Sequence, residues 1–490
     1  MKKTVFFFLS ILILFNSCKK DDGINVPLNS EVNEFIWQGL RTYYLWKEEV
    51  PDLEDDRFDT FDELHTFLNQ YNSPDDLFEH FLWPNDRFSW IVDNYQELDD
   101  ALQGKTDSHG YKYNLVRFGN SERIFGYVEY VIPNTSASSN GLQRGDVFYA
   151  VNGIELTDTN FRDLLNQVSV TLSLGNYNTE SKEVVPSGER ITMTLTEVDE
   201  NPVFLTKTFD VQGNKVGYLV YNQFINTYHS ELNAAFSEFL SEGVTEMILD
   251  LRYNPGGSVT TSRVLASMLY GEADASTVFG RIEYNEALSS FDSDINFLEE
   301  VPLLNAEGDI IGEEAMNRLN ISRVFILTTG GTASASEMII AGLRPYIDVT
   351  VVGDTTVGKN VGSITLYDSP DSGYLTKNGI NESHTYGMQP IVSRISNSVG
   401  FGEYVDGLVP NVLIEEFELV ENLVELGDEN EPLLATALEL ISGSGRIASS
   451  KESGLKQVYS PRLNQPYSQI IIDGGLEKNV IPLLDPLRID

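Results

Sequence analysis

The chain has 490 residues and a formal net charge of −41, because 74 Asp and Glu outnumber 33 Lys and Arg. A field of this sign repels nucleic acid and anionic lipid, which excludes a nucleic-acid-binding function. The length exceeds what one hydrophobic core organises and predicts about two to four domains. The single cysteine, Cys18, allows no disulfide within the chain and no CxxC metal site.

The first 18 residues have the pattern of a secretory signal peptide. Two lysines precede an apolar run at residues 4–15, TVFFFLSILILF, which is too short to span a bilayer comfortably. Asn16-Ser17-Cys18 follows, and a small residue directly before cysteine resembles a lipoprotein cleavage site, where the thiol takes a diacylglycerol. The alternative is a plain signal peptide in which the cysteine occurs by chance.

We therefore predict that a lipid on Cys18 attaches the chain to the outer membrane. A protein held in this way is anchored to a membrane and does not span it. Residues 19–30 are predicted to be a polar linker. Within it, Lys20-Asp21-Asp22 resembles the short acidic tag of surface-displayed lipoproteins in Bacteroidetes-type bacteria, although a solvated linker has the same composition. The chain is thus expected to face the periplasm or the cell surface.

Residues 31–104 are predicted to form a helical N-terminal region. Apolar residues recur there at helical spacing, on one face as Val32, Phe35, Ile36, Leu40, Tyr43 and Tyr44, and on another as Phe61, Leu64, Leu68 and Tyr71. Asp59 or Thr60 is the expected cap of the second helix.

Residues 105–205 change to the spacing of a β-rich domain. Strands are predicted over 123–132 and 191–198, a helix over 161–168, and a tight turn at Asn152-Gly153. The segment GLQRGDVFYAVNG at 141–153 closely resembles the core motif of PDZ domains. Such domains add an extended peptide to a sheet edge and hold its carboxylate on backbone N–H groups. That resemblance places the carboxylate loop near Tyr111–Leu115, where the usual Gly-Leu-Gly pattern is absent.

Residues 212–445 alternate strand and helix, which predicts an α/β core and hence a multi-domain α/β fold. Apolar strands are expected at 216–221, 247–251, 324–327 and 349–352, with amphipathic helices between them. Residues 271–320 are more polar and are interpreted as an insertion. Residues 446–490 are assigned to a C-terminal extension without a recognisable motif.

Common hydrolase motifs are missing from the chain, which contains neither HExxH nor GxSxG. No histidine lies in a glycine-rich turn, so a Ser-His-Asp triad has no candidate. The histidines are interpreted as surface or half-buried residues; they are His65, His80, His109, His229 and His384. Ser453-Gly454-Leu455-Lys456 matches SxxK but lacks the partner motifs of penicillin-interacting enzymes, and we discount it.

One segment places a serine where its hydroxyl can react. In TTGGTASASEMI at 328–339, a strand leads into a glycine-rich turn and then a helix. Ser334 would therefore lie at a helix N-terminus, where the N–H groups and the helix dipole favour negative charge. The alternative is purely structural, because Ser334-x-x-Glu337 is also a capping box.

Two further motifs favour the catalytic interpretation. LDLRYNPGG at 249–257 puts two glycines in a turn after a strand, and GDTTVGKNVG at 353–362 puts Lys359 in a small apolar loop. In this order, and with Lys359 25 residues after Ser334, the motifs resemble those of the C-terminal processing peptidases, or tail-specific proteases. The resemblance covers about residues 105–415, and DGLVPN at 406–411 resembles that family's closing Gly-x-x-Pro-Asp element.

The resemblance implies a Ser-Lys serine peptidase that acts on polypeptides through an acyl-enzyme and needs no metal or cofactor. Ser334 would be the nucleophile and Lys359 its general base, for which burial must bring the lysine pKa down toward about 7 to 8. The backbone N–H groups of Ala335 and of Gly256 or Gly257 would hold the oxyanion.

The chain departs from this family at one position. Where a glutamine usually lies four residues after the lysine and helps to orient it, this chain has Ser363. The departure supports a second hypothesis, a PDZ-type peptide-binding lipoprotein on a peptidase scaffold of weak or lost activity. The leading expectation is an endopeptidase for unstructured or C-terminal segments of envelope or extracellular proteins.

Overall fold

The protein is described here from a computed structural model, which covers residues 28–118, 121–305, 308–443, 455–459, 470–472 and 476. The predicted signal peptide, Cys18 and most of the linker lie outside these residues, as do Ser453 and Gly454 of the SxxK segment. Within the described ranges, no helix is both long and apolar enough to cross a membrane.

The N-terminal region is helical, as predicted. Its elements are α1 (Leu28–Tyr43), α2 (Phe61–Leu68), α3 (Pro74–His80), strand β1 (Trp90–Val92) and α4 (Tyr95–Leu102). The apolar face predicted for α1 is fully buried. Thr60, and not Asp59, caps α2, because its Oγ1 accepts a hydrogen bond from the Glu63 N–H at 3.2 Å. Phe61 is an exception to the predicted face of α2, since 46% of it is exposed.

The region predicted to be PDZ-like, residues 105–205, is a small antiparallel sheet with two short helices among the described residues. Its elements are β2 (Lys105–Ser108), β3 (Tyr111–Phe118), β4 (Ile124–Val131), α5 (Ser136–Ser139), β5 (Val147–Val151), β6 (Ile154–Glu155), α6 (Phe161–Leu165), β7 (Ser169–Asn178), β8 (Glu183–Thr194) and β9 (Thr196–Asp199). The main strands pair in the order β3-β4-β5-β7-β8. The predicted Asn152-Gly153 turn joins β5 to β6 with positive φ at both residues.

Two predictions for this region are wrong. Tyr111–Leu115 is not a loop but the first half of β3, because Tyr111, Leu115 and Val116 are buried in the apolar cores on either side of the sheet. The loop before β3 ends sooner than the sequence predicts, because it turns at Gly110, whose φ is 92°. Helix α6 ends at Leu165, so Val168, 69% exposed, lies beyond it.

The remaining elements alternate strand and helix. They are β10 (Val203–Val211), β11 (Asn214–Tyr221), α7 (His229–Glu242), β12 (Glu246–Asp250), β13 (Gly257–Ser258), α8 (Val259–Leu269), β14 (Val278–Tyr284), β15 (Ser293–Asn296), β16 (Glu300–Leu304), β17 (Ile310–Ala315), β18 (Arg323–Thr328), α9 (Ala335–Leu343), β19 (Asp348–Gly353), β20 (Val361–Ser363), β21 (Leu366–Tyr367), β22 (Gly387–Gln389), β23 (Ile391–Asn397), β24 (Val412–Leu413) and α10 (Pro432–Ser442).

The central sheet has the order β10-β11-β12-β18-β19-β24, and every pair except β10–β11 is parallel. The carboxyl ends of β12, β18 and β19 therefore meet at one edge of the sheet, where sites of parallel sheets are usually built. The three motifs found in the sequence follow these three strands, so the topology brings them together.

A second sheet has the order β13-β26-β20-β23-β14-β15, in which β26 is Ile470–Ile471, and packs against the same core. The interpretation of residues 271–320 as a mere insertion is wrong, because β14 and β15 belong to this sheet. Phe279, Ile282 and Phe297 from this stretch are buried in the main core, and β16 and β17 form a separate hairpin.

The C-terminal extension, for which the sequence suggested no structure, contributes two strands. Strand β25 (Leu455–Tyr459) pairs with β3 at the edge of the PDZ-like sheet, and β26 (Ile470–Ile471) lies between β13 and β20. The boundaries proposed between the domains stay predictions.

Candidate active site

Ser334 lies between β18 and α9 in a strained backbone conformation. Its φ of 68° is in the region that favours glycine, and such strain concentrates at functional positions. The residue is fully buried, and its N–H donates to Glu337 Oε2 at 2.7 Å. Glu337 thereby holds the serine backbone in the conformation that turns the chain into α9.

The Ser334 hydroxyl has no hydrogen-bond partner among the described residues. Its neighbour Ala335 is the first residue of α9. The N–H groups of a first helical turn have no carbonyl partner within the helix, so they are donors available to an anion. The hydroxyl is therefore buried beside a backbone donor of the kind that an oxyanion requires.

The Gly256-Gly257 turn packs closely against Ser334. A Cβ on residue 256 would lie 2.6 Å from Ser334 Cβ and 2.9 Å from its Oγ, so only glycine fits there. Both glycines have positive φ. The Gly256 N–H donates to Asn254 Oδ1 at 2.9 Å, so the oxyanion prediction rests on Gly257 rather than Gly256.

Lys359 is buried in the loop between β19 and β20, with 1% of its surface exposed. Burial lowers the pKa of its ammonium to about 7, while the carboxylates of Asp86 and Glu337 oppose that decrease. Its Nζ lies 4.9 Å from the centre of the Phe88 ring. The uncharged amine, which can accept a proton, is therefore accessible near neutral pH.

The N-terminal region builds part of this lysine site, which the sequence did not indicate. Asp86 and Phe88 come from the segment before β1, and Arg87 between them donates to the carbonyls of Val405 at 3.1 Å and Val357 at 3.3 Å. These contacts fasten the segment onto the lysine loop. No local pattern reveals such a role, because it depends on contacts across about 270 residues of chain.

Glu337 connects the serine to the lysine. Its Oε2 accepts the N–H groups of Ser334 and Lys359 at 2.7 and 2.8 Å, and its Oε1 accepts the Thr356 hydroxyl and the Gly358 N–H. The carboxylate is fully buried; burial raises its pKa, and these hydrogen bonds oppose the increase. The sequence showed Glu337 only as a capping residue, whereas it positions both loops of the site.

Ser363 is buried at the end of β20. Its carbonyl accepts a hydrogen bond from the Ile472 N–H at 3.1 Å, so the position that usually holds glutamine contacts the C-terminal extension.

The interpretation of the histidines needs one correction. His229 is 1% exposed; its Nδ1 lies 2.7 Å from the Pro302 carbonyl and its Nε2 2.8 Å from the Thr261 hydroxyl. His109 is also buried and contacts the Gln167 carbonyl. Both are satisfied within the fold, and neither is a base for Ser334.

A buried ionic cluster joins the PDZ-like region to the turn after β12. Arg252 pairs with Asp250, Glu431 and Glu416, and Arg144 of the GLQRGD segment also pairs with Glu416, at 2.7 to 3.0 Å. The arginines lower the pKa of the Glu431 carboxyl to about 2. Because losing one member of such a cluster leaves an unpaired buried charge, it fixes the PDZ-like region relative to the glycine turn.

The edge of the parallel sheet brings together a buried serine at a helix N-terminus, a buried lysine and a glycine turn. These features define the class of the protein as a serine-type hydrolase. Comparison with known proteins specifies the family. Residues 215–390 match the model of peptidase family S41, and residues 31–90 match that of the peptidase S41 N-terminal domain. The matched segments thus identify an S41 serine peptidase region at residues 215–390 and an S41 N-terminal domain at residues 31–90.

Individual relatives agree with this assignment. The chain is 21% identical to a carboxyl-terminal-processing protease of Picosynechococcus sp. over 73% of its own length and 75% of the relative's. It is 23% identical to the protein of the same name from Synechocystis sp., over 74% of each chain. The crystal structure of a Bacteroides fragilis protein assigned to the S41 proteases superposes with a TM-score of 0.63 at 27% identity, covering 84% of this chain and 97% of that one.

Proposed function

We propose that the chain is an endopeptidase that cleaves unstructured or C-terminal segments of envelope or extracellular proteins through a Ser334–Lys359 acyl-enzyme mechanism. The observation that carries the proposal is Lys359, which is buried, has a pKa of about 7, and is held by the same carboxylate oxygen as Ser334. A lysine whose pKa is near the working pH is what general-base activation of a serine requires.

In the proposed reaction, Ser334 Oγ attacks the scissile carbonyl while Lys359 Nζ takes the hydroxyl proton. The N–H groups of Ala335 and Gly257 stabilise the oxyanion of the tetrahedral intermediate. The intermediate collapses to an ester on Ser334, and the Lys359 ammonium returns its proton to the leaving amine. A water molecule, deprotonated by Lys359, then hydrolyses the ester and restores the serine.

A second candidate function is a peptide-binding lipoprotein with weak or no peptidase activity, in which the PDZ-like region supplies the binding surface. Two observations favour it: the Ser334 hydroxyl makes no hydrogen bond with the described residues, Lys359 included, and Ser363 replaces the usual glutamine. Catalytic hydrogen bonds often form only when substrate is bound, so the missing hydrogen bond does not count against the peptidase.

Digestion of casein by the chain that begins at residue 19 separates the two candidates. The peptidase hypothesis predicts fragments, and a serine-directed fluorophosphonate should add its mass to the peptide that contains Ser334. Binding of casein without fragments, and without an adduct at Ser334, would instead identify the peptide-binding protein.

We further propose that lipid on Cys18 attaches the chain to the outer membrane. The support is the sequence pattern at residues 4–18. A Cys18→Ser variant should move from the membrane fraction to the soluble fraction. Protease treatment of intact cells distinguishes the two orientations, since a fully protected protein excludes surface display.

The pH dependence of activity should report the lysine environment. As Lys359 must be uncharged to act, kcat/KM should rise with pH through about 7.

Variants around the lysine should move this acid limb of the pH profile. Phe88→Ala admits water, raises the Lys359 pKa and should shift the limb upward by about one pH unit. Asp86→Asn removes a carboxylate that stabilises the ammonium and should shift the limb downward. Asp55→Asn, an exposed carboxylate paired with Lys47, is the control and should leave the limb unchanged.

A further inference from the structure

The C-terminal strand β26 fills a slot that is one strand wide. Ile470 pairs in parallel with Gly257 on one side and with Gly362 on the other, and Ile471 pairs with Ser258 and Ser363. Neighbouring strands lie about 4.8 Å apart, so β13 and β20 are the two walls of the slot. Both walls offer backbone hydrogen bonds, which suit an extended polypeptide of any sequence.

This slot runs through the candidate active site. One wall begins at Gly257, directly after the glycine that touches Ser334. The other wall, β20, begins two residues after Lys359. A polypeptide in the slot therefore passes between the turn that packs on the nucleophile and the strand that follows the base.

Apolar side chains anchor the extension beside the slot. Ile472 and Leu476 are 8% and 3% exposed and belong to the main core. They line a cavity of about 420 Å³ together with Phe224 and Ile364. A Cβ on residue 362 would lie 3.0 Å from Ile472 Cδ1, so Gly362 leaves room for this side chain. Polar and charged residues, among them Asp99 and Lys377, line other parts of the cavity, so it is the wall near Ile472 and Leu476 that suits aliphatic side chains.

The same extension covers the edge of the PDZ-like sheet. Strand β25 pairs antiparallel with β3, with Leu455 opposite Phe118 and Gln457 opposite Val116. Leu455 is buried, and Gln457 Oε1 lies 3.5 Å from the place a Cβ of residue 330 would take, in the turn before Ser334. Adding a strand to a sheet edge is how PDZ domains take peptides.

We propose that strands β25 and β26, with Ile472 and Leu476, are a built-in occupant of the substrate path that keeps the site closed until a polypeptide displaces them. The proposal rests on the proposed function, because it takes polypeptide as the substrate. It also specifies the substrate as an extended segment that adds a parallel strand between β13 and β20 and places aliphatic side chains in the cavity. The unengaged Ser334 hydroxyl belongs to this closed arrangement.

The test uses the chain from residue 19 to 490 with Ile472→Glu, which places a charge at a position buried in the main core. For a short fluorogenic peptide rich in Ile and Leu, kcat/KM should rise about tenfold or more through a lower KM, because apparent affinity scales with the fraction of open molecules. Val399→Glu introduces the same charge at an apolar position that is 74% exposed and lies outside β25 and β26, so it is the matched control and should stay at the wild-type value. Ile472→Ala serves as the second variant if Ile472→Glu does not fold.

A binding measurement separates failure of this proposal from failure of the proposed function. A fluorescent peptide with the sequence of residues 467–478 should bind the Ile472→Glu chain at least about tenfold more tightly than the wild type, whether or not any variant cleaves. Wild-type KM together with unchanged peptide binding overturns the proposal. Activation of the wild type on dilution would show that the occupant comes from a second copy, which overturns the arrangement within one chain.

Discussion

Replacing either Ser334 or Lys359 by alanine is expected to lower kcat for casein about 10⁴-fold while the fold stays intact. Serine is a weak nucleophile without a base, and an amine that is charged or absent cannot take its proton. Members of such a unit are non-additive, so the double variant should lose little more than either single one. Additive losses would contradict a dyad.

Matched controls for these variants exist on the surface. Lys215→Ala and Ser289→Ala change the same residue types at exposed positions and should keep full activity. Digestion of casein followed by gel and by released amines measures the loss. Full cleavage by Ser334→Ala or Lys359→Ala would exclude the proposed mechanism.

The buried Lys359 is also expected to lower the free energy of unfolding of the protein. Stability is therefore a second measurement that tests the burial of this residue. Its pKa falls from 10.5 to about 7 on folding, which corresponds to about 5 kcal/mol of destabilisation where both the folded and the unfolded chain are protonated. That penalty is fully present below pH 7 and disappears as pH rises toward 10.5. Lys359→Met should therefore raise the free energy of unfolding at pH 7 while abolishing activity, as expected where function requires a buried ionisable group. Equal stability of the two proteins at pH 7 would contradict the buried lysine.

The sequence predicts the catalytic motifs better than the parts that support them. Three motifs follow three neighbouring parallel strands, so their order along the chain was enough to bring Ser334, Lys359 and the glycine turn together. Glu337 was seen only as a helix cap, because a capping box and a tether between two loops share one local pattern. The role of Phe88 depends on packing between distant segments and leaves no local trace.

The C-terminal strands were missed for a related reason. A strand of two residues, such as β26, has no periodicity to detect, and its backbone partners are supplied by β13 and β20. Residues 271–320 were interpreted as an insertion because polar residues dominate their average, although β14 alternates buried and exposed side chains. In both cases tertiary pairing, and not local preference, determines the structure.

Glu337→Gln is expected to lower kcat about 100-fold or more and to destabilise the fold by about 3 kcal/mol. Each oxygen of the Glu337 carboxylate accepts at least one backbone N–H. In the glutamine variant an NH₂ group replaces one of these oxygens, so it faces a backbone N–H donor and leaves that donor without an acceptor. Ser334 and Lys359 would then lose their shared tether, and small displacements of reacting groups reduce rates strongly.

A pH profile distinguishes positioning from mere structural support. Removing the Glu337 charge also removes an interaction that raises the Lys359 pKa, so the acid limb of kcat/KM should shift to lower pH. Glu63→Gln alters the same capping position in α2, where Glu63 is exposed and accepts only the Asp59 N–H within that turn, and it should change neither kcat nor the limb. Wild-type kcat in Glu337→Gln, or a slower enzyme whose acid limb does not move, would show that Glu337 only caps α9.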